Sequence, residues 1–216
     1  MTRDDARHER HSMVRSQIKA RGIADRRVLA AMASVPRERF VRWDMQHLAF
    51  ADQPLPIGHD QTISQPYIVA LMTEEAHIDR HSRVLEVGTG SGYHAAVLAR
   101  IAHHVWTIER LEALARGAEA RFEELGVKNV TTLVGDGALG HAADAPYDAI
   151  VVAAAAPHSP DPLLAQLAVG GRLVIPLGDR ALQVLHCVER TDRGFRECTA
   201  GSCRFVPLVS PEAFSG

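Results

Sequence analysis

Three glycines alternate with small polar residues in Glu86-Val87-Gly88-Thr89-Gly90-Ser91-Gly92-Tyr93, directly after the apolar run 84–87. Glycine reaches positive φ without steric cost and lets another molecule approach the main chain closely. Three glycines in five positions weaken a strand-to-helix turn unless a ligand uses the space they leave. The spacing is G-x-G-x-G and not the G-x-G-x-x-G that seats a pyrophosphate on a helix N-terminus, because Tyr93 stands where that pattern has its third glycine. Glu86 places a carboxylate beside the ligand, which suits an ammonium or sulfonium better than a pyrophosphate. Glu109 follows about twenty residues after the loop, the position from which a carboxylate accepts both ribose hydroxyls. Asp136, between Gly135 and Gly137, can accept from an adenine amine while the glycines admit a flat ring. A second cluster, residues 52–67, supplies hydroxyls, amides and backbone donors but no evident general-base pair. Within it Ser64 also reads as a helix N-cap.

These residues need elements to hold them. Apolar β-branched runs predict strands at 83–87, 105–109, 130–134, 148–153 and 172–177, with helices between them to about residue 102, over 111–125 and around 163–167. Two later strands, 181–189 and 204–209, flank a turn near 192–194 and read as antiparallel. Repeated βα units with a terminal hairpin predict a mostly parallel sheet with helices on both faces. Ligands of such sheets sit beyond the C-terminal strand ends, where Gly88, Glu109 and Asp136 all fall. Upstream, residues 1–10 read as a frayed polar end, followed by helices over 11–21 and from Asp25 to Pro36. Residues 40–65, rich in turn formers yet apolar throughout, read as a functional loop, and a further helix begins near Pro66 and runs to about residue 77.

The chain has 216 residues, enough for one α/β core with a small extension, and a formal net charge of −2. That charge suggests neither a nucleic-acid nor a membrane partner. Cys187, Cys198 and Cys203 form no C-x-x-C pair, which fits reduced thiols in a cytoplasmic protein. No apolar run is long enough to span a bilayer, and the charged start has no signal-peptide core. His8-Glu9-Arg10-His11 is not a metal motif, and the other histidines assemble no ligand set, so no metal is expected.

The segments Pro54-Leu55-Pro56-Ile57-Gly58, Gln61-Thr62-Ile63-Ser64-Gln65-Pro66, Glu86 to Tyr93, Gly135-Asp136-Gly137, Gly170-Gly171-Arg172-Leu173-Val174-Ile175-Pro176 and Arg204-Phe205-Val206-Pro207-Leu208 together resemble the bacterial protein-L-isoaspartate O-methyltransferases. Arg21-Gly22-Ile23 and Val35-Pro36-Arg37 fit the same helical lead-in, and the resemblance runs in one register from about Met13 to Leu208. The glycine motif is shared by many methyltransferases, whereas the T-I-S-Q-P and R-F-V-P-L segments are much narrower.

The resemblance implies a Rossmann-like class I S-adenosylmethionine-dependent methyltransferase fold. It implies a seven-stranded, mostly parallel sheet at 81–216 and an N-terminal helical extension with the substrate loop at 1–80, packed as one unit. It implies methylation of the α-carboxylate of isoaspartyl residues in damaged proteins and peptides by a monomer. The ester then collapses to a succinimide, whose hydrolysis returns some normal aspartate. Ser64 matches the active-site serine. Glu86, Gly88, Thr89, Gly90, Ser91, Gly92, Tyr93, Glu109, Asp136 and Gly137 match the cofactor site, and Ile57, Thr62, Ile63 and Gln65 the substrate loop. Asp60 stands where a glycine is usual and His141 where a tryptophan is common, and residues 200–203 are less apolar than usual. The competing expectation is a relative that methylates ordinary aspartate in a dedicated biosynthetic peptide.

Overall fold

A computed structural model describes residues 2–214. The chain opens on α1 (Arg3–Met13), which continues through a π-helical turn, Val14–Ile18, and a 3-10 turn, Lys19–Arg21, to left-handed Gly22. The expected frayed end is therefore a helix. Thr2 accepts from the Asp5 amide while the Asp5 carboxylate accepts from the Thr2 amide, a reciprocal cap that satisfies two orphan donors. Arg10 then ties the helix down: its Nε donates to the Ala33 carbonyl at 2.8 Å and its Nη1 to both Glu38 oxygens at 3.0 Å. Charge alone made this stretch read as frayed, but Asp5 and Arg10 have partners that hold the helix.

After α2 (Arg26–Ser34) come two short antiparallel strands, β1 (Leu55–Gly58) and β2 (Gln61–Ile63), and then α3 (Pro66–Glu75). His59 and Asp60 turn the small hairpin with φ of 53° and 56°. A glycine adopts that left-handed conformation freely, and aspartate is among the few other residues that tolerate it. The core alternation follows as β3 (Arg83–Val87), α4 (Tyr93–Ala99), β4 (His104–Glu109), α5 (Glu112–Leu125), β5 (Val130–Val134), β6 (Tyr147–Val152), α6 (Asp161–Ala165), β7 (Leu167–Gly178), β8 (Gln183–Thr191) and β9 (Gly194–Cys203). The seven-stranded sheet has the order β5-β4-β3-β6-β7-β8-β9, with β8 and β9 antiparallel to their neighbours and the rest parallel. The strand order reverses beside β3, so the glycine loop that leaves β3 opens at the crevice of the sheet.

The last strand departs from expectation. Thr191 pairs with Gly194, so only Asp192 and Arg193 lie between the strands. A hairpin this tight starts its return strand at once, and β9 occupies 194–203. Residues 204–209 are then free to run across the strand ends, joined to the 153–156 segment by Ala155 N–H to the Val206 carbonyl (2.8 Å) and Leu208 N–H to the Ala155 carbonyl (2.7 Å).

Side-chain alternation along the buried strands feeds two cores. Val84, Ala149 and Val151 face one, Leu85, Ile150 and Val152 the other. The first core includes Met13, Ile18, Met32, Phe40, Val69, Tyr93 and Val97, so the N-terminal segment and the sheet share one interior. The second lies under α6 and the terminal segment, with Leu163, Tyr147 and Leu208. No helix among the described residues is long and apolar enough to cross a membrane.

Gly92, at φ 86°, begins α4 against α5, where an added Cβ would lie 2.9 Å from Phe122 Cζ and 3.0 Å from Ala118 Cβ. Gly92→Ala combines left-handed strain with overpacking and is expected to cost about 2–4 kcal/mol in urea unfolding. A loss below about 0.5 kcal/mol would show that this contact relaxes freely.

Candidate active site

Two clefts meet at the C-terminal strand ends. The first, about 800 Å³ including its mouth, is walled by the glycine loop from Gly88 to Ser91, by Ile108 and Glu109 at the end of β4, by Gly137, and by residues 206–209. The second, about 850 Å³, lies between α3 and the end of β9, with Arg21, Tyr67, Leu71, Arg204 and Phe205. Thr62, Ser64, Ala153 and Val206 line both.

The glycines make this geometry. Gly88, Gly90 and Gly92 all have positive φ. Glu109, 7% exposed, pins the loop: its Oε2 accepts the Gly90 amide at 2.9 Å and its Oε1 the Leu111 amide at 3.0 Å. Each carboxylate oxygen keeps a further lone pair toward the cleft, so Glu109 remains able to accept hydroxyls. Gly137 lines the cleft because a Cβ there would meet Val87 Cγ1 at 2.3 Å. Ala153 and Ala154 leave the floor open. A nucleoside-sized group with an apolar ring and a polar sugar fits this donor set and shape.

Several expected residues take other places. Glu86 does not border the cleft. It is fully buried behind the loop, accepting a hydrogen bond from Thr107, whose hydroxyl lies 2.7 Å from that of Thr89. Burial pushes its carboxyl up to about 8; the Thr107 hydrogen bond opposes this and the Glu109 charge adds to it. Asp136 also stands back from the cleft, accepting the Ala138 amide at 3.0 Å and the Ser210 hydroxyl at 2.7 Å. Tyr93 reaches from the cleft wall into the N-terminal core, its hydroxyl 3.7 Å from Met32 Sδ. Thr89, Gly90 and Ser91 line the first cleft as expected, and Gly92 packs behind it.

On the other side, Thr62 and Ile63 enter the first cleft and Gln65 the second. Ile57 lies over the loop, its Cδ1 3.4 Å from where a Gly90 Cβ would be. Ser64 is not a cap. Gln65 occupies the N-cap of α3, which has no side-chain capping bond. The Ser64 hydroxyl bonds to no other described residue, while its carbonyl accepts from Arg37 Nη2 at 2.8 Å.

Sequence reasoning missed Arg37 and His94. Arg37 is 0% exposed, donates from Nε to the Ala49 carbonyl at 2.8 Å, and sits 4.7 Å over the Tyr93 ring. Its place in Val35-Pro36-Arg37, opening a 3-10 turn just after α2, was the available signal. His94 borders the first cleft with Nε2 3.0 Å from the Thr73 hydroxyl, and burial pushes its imidazole down to about 3. Nothing in its helical spacing distinguished it from a packed core histidine. Among the described residues no group of three or more His, Cys, Asp or Glu side chains could hold a metal ion.

A parallel sheet with this order, a glycine loop at its crevice and a carboxylate closing the next strand define a Rossmann-like class I methyltransferase. The family model described as Protein-L-isoaspartate(D-aspartate) O-methyltransferase (PCMT) matches residues 8–213. The chain is 56% identical over 209 residues to Protein-L-isoaspartate O-methyltransferase 2 of Pelobacter propionicus, covering 96% of this chain and 93% of that one. It is 49% identical over 216 residues to Protein-L-isoaspartate O-methyltransferase of Methanoculleus marisnigri, covering 100% and 98%. Among solved structures, a protein-L-isoaspartate O-methyltransferase superposes with a TM-score of 0.83 at 27% identity, over 96% of this chain and 67% of that one. A putative one from Plasmodium falciparum, in complex with S-adenosyl-L-homocysteine, gives 0.79 at 25% identity, over 93% and 98%. The chain belongs to the protein-L-isoaspartate (D-aspartate) O-methyltransferase family.

The buried Glu86 carboxyl makes stability depend on pH. In the unfolded chain it ionises near its ordinary value of 4.5, whereas the folded protein keeps the proton until about 8. The unfolded state therefore binds fewer protons across that window, and stability falls as pH rises through it. Glu86→Gln removes this loss. The ligand-free variant is expected to gain in melting temperature relative to the wild type as pH rises from about 5.5 to 8.5. A constant difference across that range contradicts the buried, neutral carboxyl.

Proposed function

We propose that this protein transfers the methyl group of S-adenosylmethionine to the α-carboxylate of L-isoaspartyl residues in proteins and peptides. The observation that carries this reading is the meeting of the two clefts at Ser64, whose hydroxyl has no partner among the described residues. When bound, the cofactor supplies an electrophilic sulfonium methyl. Glu109 would receive its ribose hydroxyls, the Gly88–Ser91 loop its amino-acid end, and Gly137 its adenine ring; Asp136 would support that wall through Ala138 and Ser210.

The residues' work is positional. A carboxylate of pKa about 3.5 is already ionised at neutral pH, so the attacking group needs no base. Ser64 donates a hydrogen bond to that carboxylate and holds it in line with the methyl group. Thr62 and Ile63 of β2 and Val206 wall the junction and keep water from the reacting atoms. Gln65, with Tyr67 and Ile68 of α3, borders the groove that would carry the peptide on either side of the modified residue.

The direct test is transfer of labelled methyl from S-adenosylmethionine to matched isoaspartyl and aspartyl peptides. Labelling of the isoaspartyl peptide alone is expected. Labelling of the aspartyl peptide instead would overturn the repair reading. Ser64→Ala is expected to lower kcat by about 10²-fold while the affinity for S-adenosylhomocysteine changes less than about twofold. Equal losses in both would remove Ser64 from the reaction.

A further inference from the structure

The reaction proposed above removes one negative charge: a carboxylate enters and a neutral ester leaves. The charges around the second cleft match the substrate and not the product. Arg21 and Arg204 line it, and no aspartate or glutamate does. Arg21 is neutralised by Asp52 and stacks 3.4 Å over the Tyr67 ring. Arg204 is exposed and makes no hydrogen bond or ion pair with a described residue.

Beneath the junction lies Arg37. Its guanidinium is fully buried, held by the Ala49 and Ser64 carbonyls and the Tyr93 ring, and it forms no ion pair with a described residue. Its Nη1 is buried with no hydrogen-bond partner among the described residues. Arginine keeps its charge in proteins, and a buried cation without an anion is costly. The carboxylate whose field reaches Arg37 is that of Asp52, already engaged by Arg21 and the Tyr67 amide. Glu109, the carboxylate bordering the first cleft, is engaged by the Gly90 and Leu111 amides. In a chain of net charge −2, the junction thus has two guanidinium groups with no ion pair among the described residues, Arg204 on the lining of the second cleft and Arg37 behind Ser64.

We propose that Arg37 and Arg204 sort substrate from product by charge: the incoming carboxylate pairs with Arg204 at the rim and is drawn by the field of Arg37 behind Ser64, and its methyl ester, having lost that attraction, departs. Arg204 acts from the exposed rim, where salt screens it, and Arg37 from beneath Ser64, where salt does not reach. This inference rests on the isoaspartyl reading.

The test measures binding to the protein loaded with S-adenosylhomocysteine. Two peptides are compared, an isoaspartyl peptide and the same peptide with its α-carboxylate replaced by the carboxamide, a stable uncharged mimic of the ester. The wild type is expected to bind the carboxylate at least about tenfold more tightly, and the ratio should fall as salt rises from about 0.05 to 0.3 M. Arg204→Gln should lower the ratio about threefold or more and flatten its salt dependence. Arg37→Met should lower it further without changing salt dependence, with affinity for S-adenosylhomocysteine within about twofold. Arg204→Lys should restore most of the ratio. Equal affinity for the two peptides, or a ratio indifferent to both Arg204→Gln and salt, overturns the proposal. If Arg37→Met does not fold, Arg204→Gln and the salt series decide. Failure to bind either peptide while S-adenosylhomocysteine still binds would instead refute the isoaspartyl reading itself.

Discussion

A guanidinium cut off from water has to be satisfied by whatever the fold can turn toward it, and Arg37 sets that condition at the centre of this molecule. Its partners come from three segments that are distant in sequence. Ala49 ends the helical lead-in, Ser64 closes the small hairpin, and Tyr93 begins the helix after the glycine loop. None of these can move far without stranding a buried charge. The reacting end of the site is thus fixed from below, by an interaction that touches neither the cofactor nor the peptide. The shared core spreads the same constraint: Met32 and Phe40 lie against Tyr93, so the glycine loop is backed by the N-terminal segment as well as by the sheet.

The site divides its labour between rigid and adaptable parts. Strand ends and glycines place Glu109, Gly92 and Gly137, and tolerance at the two glycines is small because a single added Cβ would meet α5 or Val87. The side proposed to carry the peptide is built from α3, the end of β9 and the segment beyond it, whose outer residues are partly exposed and carry varied side chains. An enzyme that must accept many sequences around one altered residue needs this asymmetry. The nucleoside is always the same molecule, and the polypeptide never is.

Much of this was legible in the residues. The β-branched runs, the G-x-G-x-G turn and the carboxylate about twenty residues later specify a buried strand, a tight loop at the sheet's crevice and a carboxylate closing the next strand by local chemistry alone. Where a residue's surroundings were not legible, the deciding partner lay far along the chain. The first ten residues looked solvated because Glu38 and the Ala33 carbonyl, which engage Arg10, are more than twenty positions away. Glu86 looked like a ligand contact because its place next to the loop was visible, while its orientation toward Thr107 was not. Asp136 looked free because Ser210, its partner, follows it by 74 residues. The final strand was displaced because residues 204–209 are apolar enough for a strand and the weak alternation of β9, an exposed edge, did not compete. Only the two-residue turn fixes where pairing starts.

The segment at 204–209 is a party wall. Its main chain is clamped to Ala155 on both sides of Pro207, and its side chains face into two rooms at once, with Val206 common to both. Such a wall cannot be moved for one tenant alone. Any substitution that enlarges the peptide room by shifting this backbone also reshapes the nucleoside room, so the two specificities are inherited together. Variation in peptide preference within this architecture should then be found in side chains that leave the wall standing, at Arg204, Phe205 and the tip of β9, and not in its insertions or deletions.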